Sequence, residues 1–81
     1  MAILLIVEDD TATNEAICEY MKTAGHITLS AFDGEQGLQI VREQSIDLVV
    51  LDIMLPKRTG LEVLKELRQT SNIPVLMLRC V

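Results

Sequence analysis

The stretch that decides the fold is IDLVVLDIMLP, residues 46–56. Its apolar run ends in Asp52, and a second apolar run, AILLIV at residues 2–7, ends in three consecutive acids at residues 8–10. Short runs that are β-branched and apolar on both faces are typical of buried strands. Two such strands, each with carboxylates at its C-terminal end, indicate an acidic pocket that binds a cation.

Outside this stretch, helical and strand patterns alternate. Apolar residues at positions 17, 20, 21 and 24 follow the spacing of an amphipathic helix, and Gly25 suits a left-handed C-terminal cap. The other expected elements are an edge strand at 27–31, a helix capped by Asp33, the strand at 46–51, a helix with apolar positions 61, 64 and 67, and a strand at 75–78.

Such alternation of strands and helices implies a parallel sheet with right-handed crossovers. We therefore predict one α/β domain over residues 1–81, with four strands and three helices. No helix follows the last strand, so apolar surface on the third and fourth strands is expected to be exposed.

Composition excludes several classes of function. The formal net charge of -5 disfavours direct binding of nucleic acid, whose phosphates attract basic surfaces. No apolar stretch approaches the roughly 20 residues that span a bilayer, so no membrane association is expected. Cys18 and Cys80 have no metal-binding spacing and form no disulfide framework, which favours a reducing cytoplasm.

The acids at the strand ends are the candidate site. In open α/β sheets, ligands bind beyond the carboxyl ends of the strands, where Glu8, Asp9, Asp10 and Asp52 should meet. Like charges at close range repel one another, and a divalent cation relieves that repulsion. Oxygen ligands completed by water suit Mg²⁺ or Mn²⁺. We expect Asp9 to bind the metal directly and Glu8 to act through water. Asp52 and, from the following loop, the backbone carbonyl of Met54 are the other expected metal ligands.

Asp52 is the expected nucleophile, because carboxylates form covalent aspartyl-phosphates in proteins. The alternative for an isolated aspartate after a strand is a helix cap or a turn residue. A carboxylate-dependent phosphohydrolase is a third interpretation. Those enzymes carry a second aspartate two residues after the nucleophile, where this chain has Met54.

Four segments together resemble the receiver domain of bacterial two-component response regulators, and in particular those of winged-helix transcription regulators. They are residues 3–10, 33–38, 47–56 with Gly60, and 73–78. The resemblance implies a flavodoxin-like (CheY-like) fold with strand order 2-1-3-4-5. It implies that a sensor histidine kinase transfers a phosphoryl group to Asp52 with Mg²⁺ bound, and that the family's acidic pair falls on Glu8 and Asp9. It further implies a cytoplasmic phosphoacceptor that is not an enzyme beyond weak autophosphatase activity.

The resemblance fails at the C-terminal end. The family has Thr or Ser directly after the fourth strand and then a small residue, whereas this chain has Arg79 and Cys80. The family's lysine at the end of a fifth strand has no counterpart. We therefore expect a receiver truncated after the fourth strand, with impaired switching. The alternative function is a structural module that forms a homodimer or higher oligomer through its exposed fourth strand and uncovered sheet faces.

Overall fold

The computed structural model describes residues 1–78, so the expectations for Arg79 and Cys80 lie outside the described part of the chain. Its elements are β1 (Ile3–Val7), α1 (Thr11–Thr23), β2 (Ile27–Ala31), α2 (Gly34–Glu43), β3 (Leu48–Asp52), α3 (Gly60–Arg68) and β4 (Val75–Leu78). The four strands form one parallel sheet in the order β2-β1-β3-β4. The predicted α/β class and the predicted neighbours of the central strand are confirmed.

The register of β1 on β3 sets the position of the acids. Val7 pairs with Leu51, so the two strands end at the same level of the sheet. β3 begins at Leu48 and includes Asp52, whereas the sequence predicted a strand over residues 46–51. The later start has a local cause, because the Ile3 amide donates its hydrogen to the Asp47 carboxylate at 2.7 Å. In a longer ladder, the same amide would donate to a backbone carbonyl of β3.

The three helices cover the sheet unequally. On one face, α2 and α3 pack on a core formed by Leu5, Val7, Ala31, Leu38, Ile46, Val49, Leu51, Val63 and Leu67. On the other face, α1 packs on the smaller cluster of Leu4, Ile6, Cys18 and Val50. Within residues 1–78, no helix is long and apolar enough to cross a membrane.

This unequal cover corrects two expectations. Exposed apolar surface is found on β4, where Leu76 is 49 % exposed, but β3 is buried because β1 and β4 flank it and helices cover it. Tyr20 was predicted to lie on the buried stripe of α1 and is 74 % exposed. It borders an apolar depression between α1 and β4, which Leu76 and Leu78 also line.

Candidate metal centre

The ends of β1 and β3 bring together the three carboxylates that the sequence singled out. Glu8 follows the last residue of β1 and is 2 % exposed, and Asp52 ends β3 and is 1 % exposed. Asp9 lies beside them and is open to solvent. One carboxylate oxygen from each residue lies within 4.8 Å of the other two. Such a spacing allows a single cation to contact all three groups.

Burial and like charge make this cluster unfavourable without a cation. Burial is the main cause that raises the pKa of Glu8 from 4.5 to about 7, and a hydrogen bond to Asp52 and the charges of Asp52 and Asp9 add to it. A proton on Glu8 thus relieves part of the repulsion. A divalent cation can replace that proton, and a set of three carboxylates matches the oxygen ligands that Mg²⁺ and Mn²⁺ prefer.

Backbone amides orient both buried carboxylates. The amide of Asp10 donates to Glu8 Oε1 at 3.2 Å, and the amide of Met54 donates to Asp52 Oδ1 at 3.0 Å. The second contact holds the backbone of Met54 beside Asp52, while its side chain is 66 % exposed. The contact of Met54 with the cluster is thus made by its backbone amide.

Asp10, the third acid of the series, has a different role. Its carboxylate caps α1 by accepting hydrogen bonds from the amide of Thr13 at 3.0 Å and from the Thr13 hydroxyl. These hydrogen bonds lower the pKa of Asp10. A charged N-cap of this kind stabilises the start of a helix. Of the three consecutive acids, Glu8 and Asp9 thus belong to the carboxylate cluster, and Asp10 caps α1.

The loop after Asp52 is fixed to the two helices on its side of the sheet. Gly60 donates its amide hydrogen to the Ile53 carbonyl at 2.7 Å, and a Cβ at this position would lie 2.8 Å from Ile53 Cα. Only glycine therefore allows α3 to start so close to β3. Arg58 forms ion pairs with Glu66, at 2.8 Å, and with Glu35.

Sequence reasoning missed Asn14, which is 1 % exposed on α1. Its side-chain amide donates to the Glu8 carbonyl at 3.0 Å. A signal was present, because Asn14 lies three residues before Ile17 and seven before Met21, on the apolar stripe of the helix. A polar residue on such a stripe needs a buried hydrogen-bond partner.

The chain matches a family model described as the response regulator receiver domain, over residues 4–79. It is 47 % identical over 74 residues to the uncharacterised transcriptional regulatory protein YcbL of Bacillus subtilis, covering 91 % of this chain and 33 % of that protein. It is 43 % identical over 75 residues to the transcriptional regulatory protein CpxR of Escherichia coli K12, covering 93 % of this chain and 32 % of CpxR. The chain thus spans about a third of the length of these curated relatives.

Solved structures agree with the sequence relatives. The receiver domain of the Francisella response regulator 1452 has a TM-score of 0.94 and 32 % identity, covering 100 % of this chain and 68 % of that one. The response regulator TrrA of Thermotoga maritima, solved in complex with Mg²⁺-BeF, has a TM-score of 0.94 and 30 % identity, covering 100 % of this chain and 71 % of that one. The flavodoxin-like fold expected from the sequence is confirmed. The chain therefore belongs to the receiver domain family of two-component response regulators, and its relatives are transcriptional regulators.

Proposed function

We propose that this chain accepts a phosphoryl group on Asp52 from a sensor histidine kinase, in a reaction that requires Mg²⁺ or Mn²⁺. The observation that carries the proposal is the meeting of Glu8, Asp9 and Asp52 within 4.8 Å at the carboxyl end of the sheet. Family membership supports the same reaction, and TrrA, whose fold matches this chain throughout, was solved with Mg²⁺-BeF.

Each residue has a proposed role. Asp9, the exposed member, is the direct metal ligand, and the buried Glu8 acts through a metal-bound water. Asp52 and the Met54 carbonyl supply the remaining protein oxygens. The cation, when bound, neutralises the negative charge that builds up as two anions approach each other. An oxygen of Asp52 then attacks phosphorus, so that an O–P bond forms and the P–N bond to the kinase histidine breaks.

Residues 1–81 are proposed to form one receiver unit that holds the metal but switches poorly when alone. Arg79 stands where the family has Thr or Ser, and these residues contain no counterpart of the family's fifth-strand lysine. The proposed unit is a cytoplasmic phosphoacceptor with, at most, weak autophosphatase activity. The longer relatives are transcriptional regulators, and this chain spans about a third of their length.

Self-association through β4 is a second candidate activity, and it is compatible with the first. β4 lies at the edge of the described sheet, and Leu76 and Tyr20 expose apolar surface beside it. Open strand edges with apolar surface favour pairing with another chain. Light scattering over a dilution series tests this candidate, and a folded monomer at micromolar concentration would contradict it.

Intact-mass analysis with a small phosphodonor and Mg²⁺ tests the proposed reaction. We expect one phosphoryl adduct on the native chain, no adduct on Asp52→Asn, and loss of the adduct when the metal is chelated. Asp47→Asn is the matched control, since Asp47 precedes the same strand at its opposite end. An unmodified native chain, or an adduct on Asp52→Asn, would refute phosphoacceptor activity at Asp52.

A further inference from the structure

Asn14 is a buried polar residue outside the proposed set of metal ligands. Its side-chain nitrogen lies 3.0 Å from the Glu8 carbonyl, 3.2 Å from the Ala31 carbonyl and 3.4 Å from the Ile6 carbonyl. An amide nitrogen carries two hydrogens, so the two shorter contacts are the principal ones. This single side chain therefore ties α1 to the carboxyl ends of both β1 and β2.

The other end of the same amide is held just as firmly. Asn14 Oδ1 accepts a hydrogen bond from Ser30 Oγ at 2.6 Å and from Cys18 Sγ at 3.4 Å. The surroundings settle the orientation of the amide, because the reverse orientation would place its oxygen against three carbonyl oxygens. Asn14 thus has fixed partners at both ends and no freedom to rotate.

These contacts anchor the backbone of Glu8 on both sides. The Glu8 amide donates to the Ala31 carbonyl at 3.0 Å, and the Glu8 carbonyl accepts from Asn14 at 3.0 Å. The Ala31 carbonyl therefore accepts hydrogen bonds from both the Asn14 side chain and the Glu8 amide. This shared acceptor couples the positions of the two donors. Because both its amide and its carbonyl are hydrogen-bonded, the backbone of Glu8 is held in one orientation. That orientation sets the direction of the Glu8 side chain and the position of the Asp9 backbone.

We infer that Asn14 is a positioning residue for the metal centre, which holds Glu8 and Asp9 at the separation from Asp52 that a divalent cation requires. The inference rests on the proposed metal-dependent function. Asn14 supports the ligands through hydrogen bonds to their main chain and does not touch the metal. Loss of such supporting contacts around a metal site lowers metal affinity about 10-fold to 100-fold.

Isothermal titration of the 81-residue chain with Mg²⁺ alone tests this inference in three variants. Asn14→Asp keeps the size and the acceptor end of the side chain but removes the donors that face Glu8 and Ala31. Asn14→Ser keeps one donor on a shorter side chain and adds no charge. Thr23→Ala is the control, because it removes a hydroxyl of the same helix whose hydrogen bond goes to the Glu19 carbonyl, outside this network. Each titration is made at a temperature where circular dichroism shows that the variant is folded.

We expect both Asn14 variants to bind Mg²⁺ about 10-fold more weakly or worse, and Thr23→Ala to retain the native affinity. The added charge of Asn14→Asp would by itself strengthen cation binding, so a loss in that variant reports on geometry. If the Asn14 variants fail to fold, the Asn14 side-chain amide resonances of the native chain are followed by NMR, and they should shift on saturation with Mg²⁺.

Native affinity in folded Asn14 variants, an equal loss in Thr23→Ala, or unshifted amide resonances would overturn the positioning role. The phosphoacceptor proposal would survive each of these results, because the native chain would still bind Mg²⁺. A native chain that binds no Mg²⁺ would overturn both.

Discussion

The central strands β1 and β3 contain two equally buried regions with opposite effects on stability. The apolar region lies in the middle of the strands, where Leu5 and Leu51 are 0 % exposed. The acidic region lies at their carboxyl ends, where Glu8 and Asp52 are 2 % and 1 % exposed. Burial of apolar surface stabilises the fold by about 25 cal/mol per Å², whereas buried carboxylates that repel each other destabilise it. The buried carboxylates therefore depend on the apolar core of the same strands to hold them in place. Burial alone does not reveal whether a residue serves stability or function.

The largest expected effect comes from the apolar region. Leu51→Ala removes a fully buried side chain next to Asp52 and should lower the free energy of unfolding by about 2–5 kcal/mol. Urea denaturation measures it. The control is Leu61→Ala, at a position 59 % exposed on α3, which should change stability by about 0.5 kcal/mol or less. Equal losses in the two variants would mean that the central strands do not form the core.

The next effect is a pH dependence of stability that originates in the acidic region. Because the pKa of Glu8 rises from 4.5 to about 7 on folding, the folded chain binds the extra proton between these values. The stabilisation from this proton is complete below pH 4.5 and is lost as the pH rises through 7. Without metal, the free energy of unfolding should therefore fall over this interval by about 3 kcal/mol, since each pKa unit corresponds to about 1.4 kcal/mol.

Glu8→Gln is the control for this pH dependence. It retains the size of the side chain but cannot titrate, so its stability should stay nearly constant over the same interval. The carboxylates whose pKa is lowered, Asp10 and Glu66, act in the opposite direction and at lower pH. A slope in Glu8→Gln as steep as that of the native chain would assign the pH dependence to other groups.

The sequence predicted the strands and the site for the same reason, since apolar runs that end in acids mark both. Gly25, at φ 94, and the Asp33 cap depend on local chemistry and were predicted. The Asp10 cap was not predicted, because Asp10 was counted among the acids of the pocket. What depends on tertiary contact was not predictable. Tyr20 has the helical spacing of a buried residue, but the folded chain leaves it 74 % exposed beside β4. The buried role of Asn14 requires carbonyls from two strands that only the folded chain assembles.

A smaller effect comes from the loop that adjoins the acidic region. Lys57 has φ 68, in the left-handed region, which disfavours residues with a Cβ by about 1 kcal/mol or more. Lys57→Gly relieves this strain but makes the unfolded chain more flexible, so we expect a net gain of about 0.5 kcal/mol. Lys65→Gly, on the exposed side of α3, should instead lose about 1 kcal/mol. Thermal unfolding of both variants checks the opposite signs, and a loss in Lys57→Gly would show that this backbone is not strained.

The most direct test of the central claim is the free energy of unfolding of the native chain and of Asp52→Asn, each with and without Mg²⁺, at about pH 8. Without metal, Asp52→Asn should be the more stable of the two, because it removes one charge from a buried acidic cluster. At Mg²⁺ concentrations about 100 times the dissociation constant, the native chain should gain about 2.7 kcal/mol. Asp52→Asn should gain far less, so that the order of stability reverses. Equal gains in the two chains, or no gain in either, would contradict the claim that these carboxylates form a metal site built around Asp52.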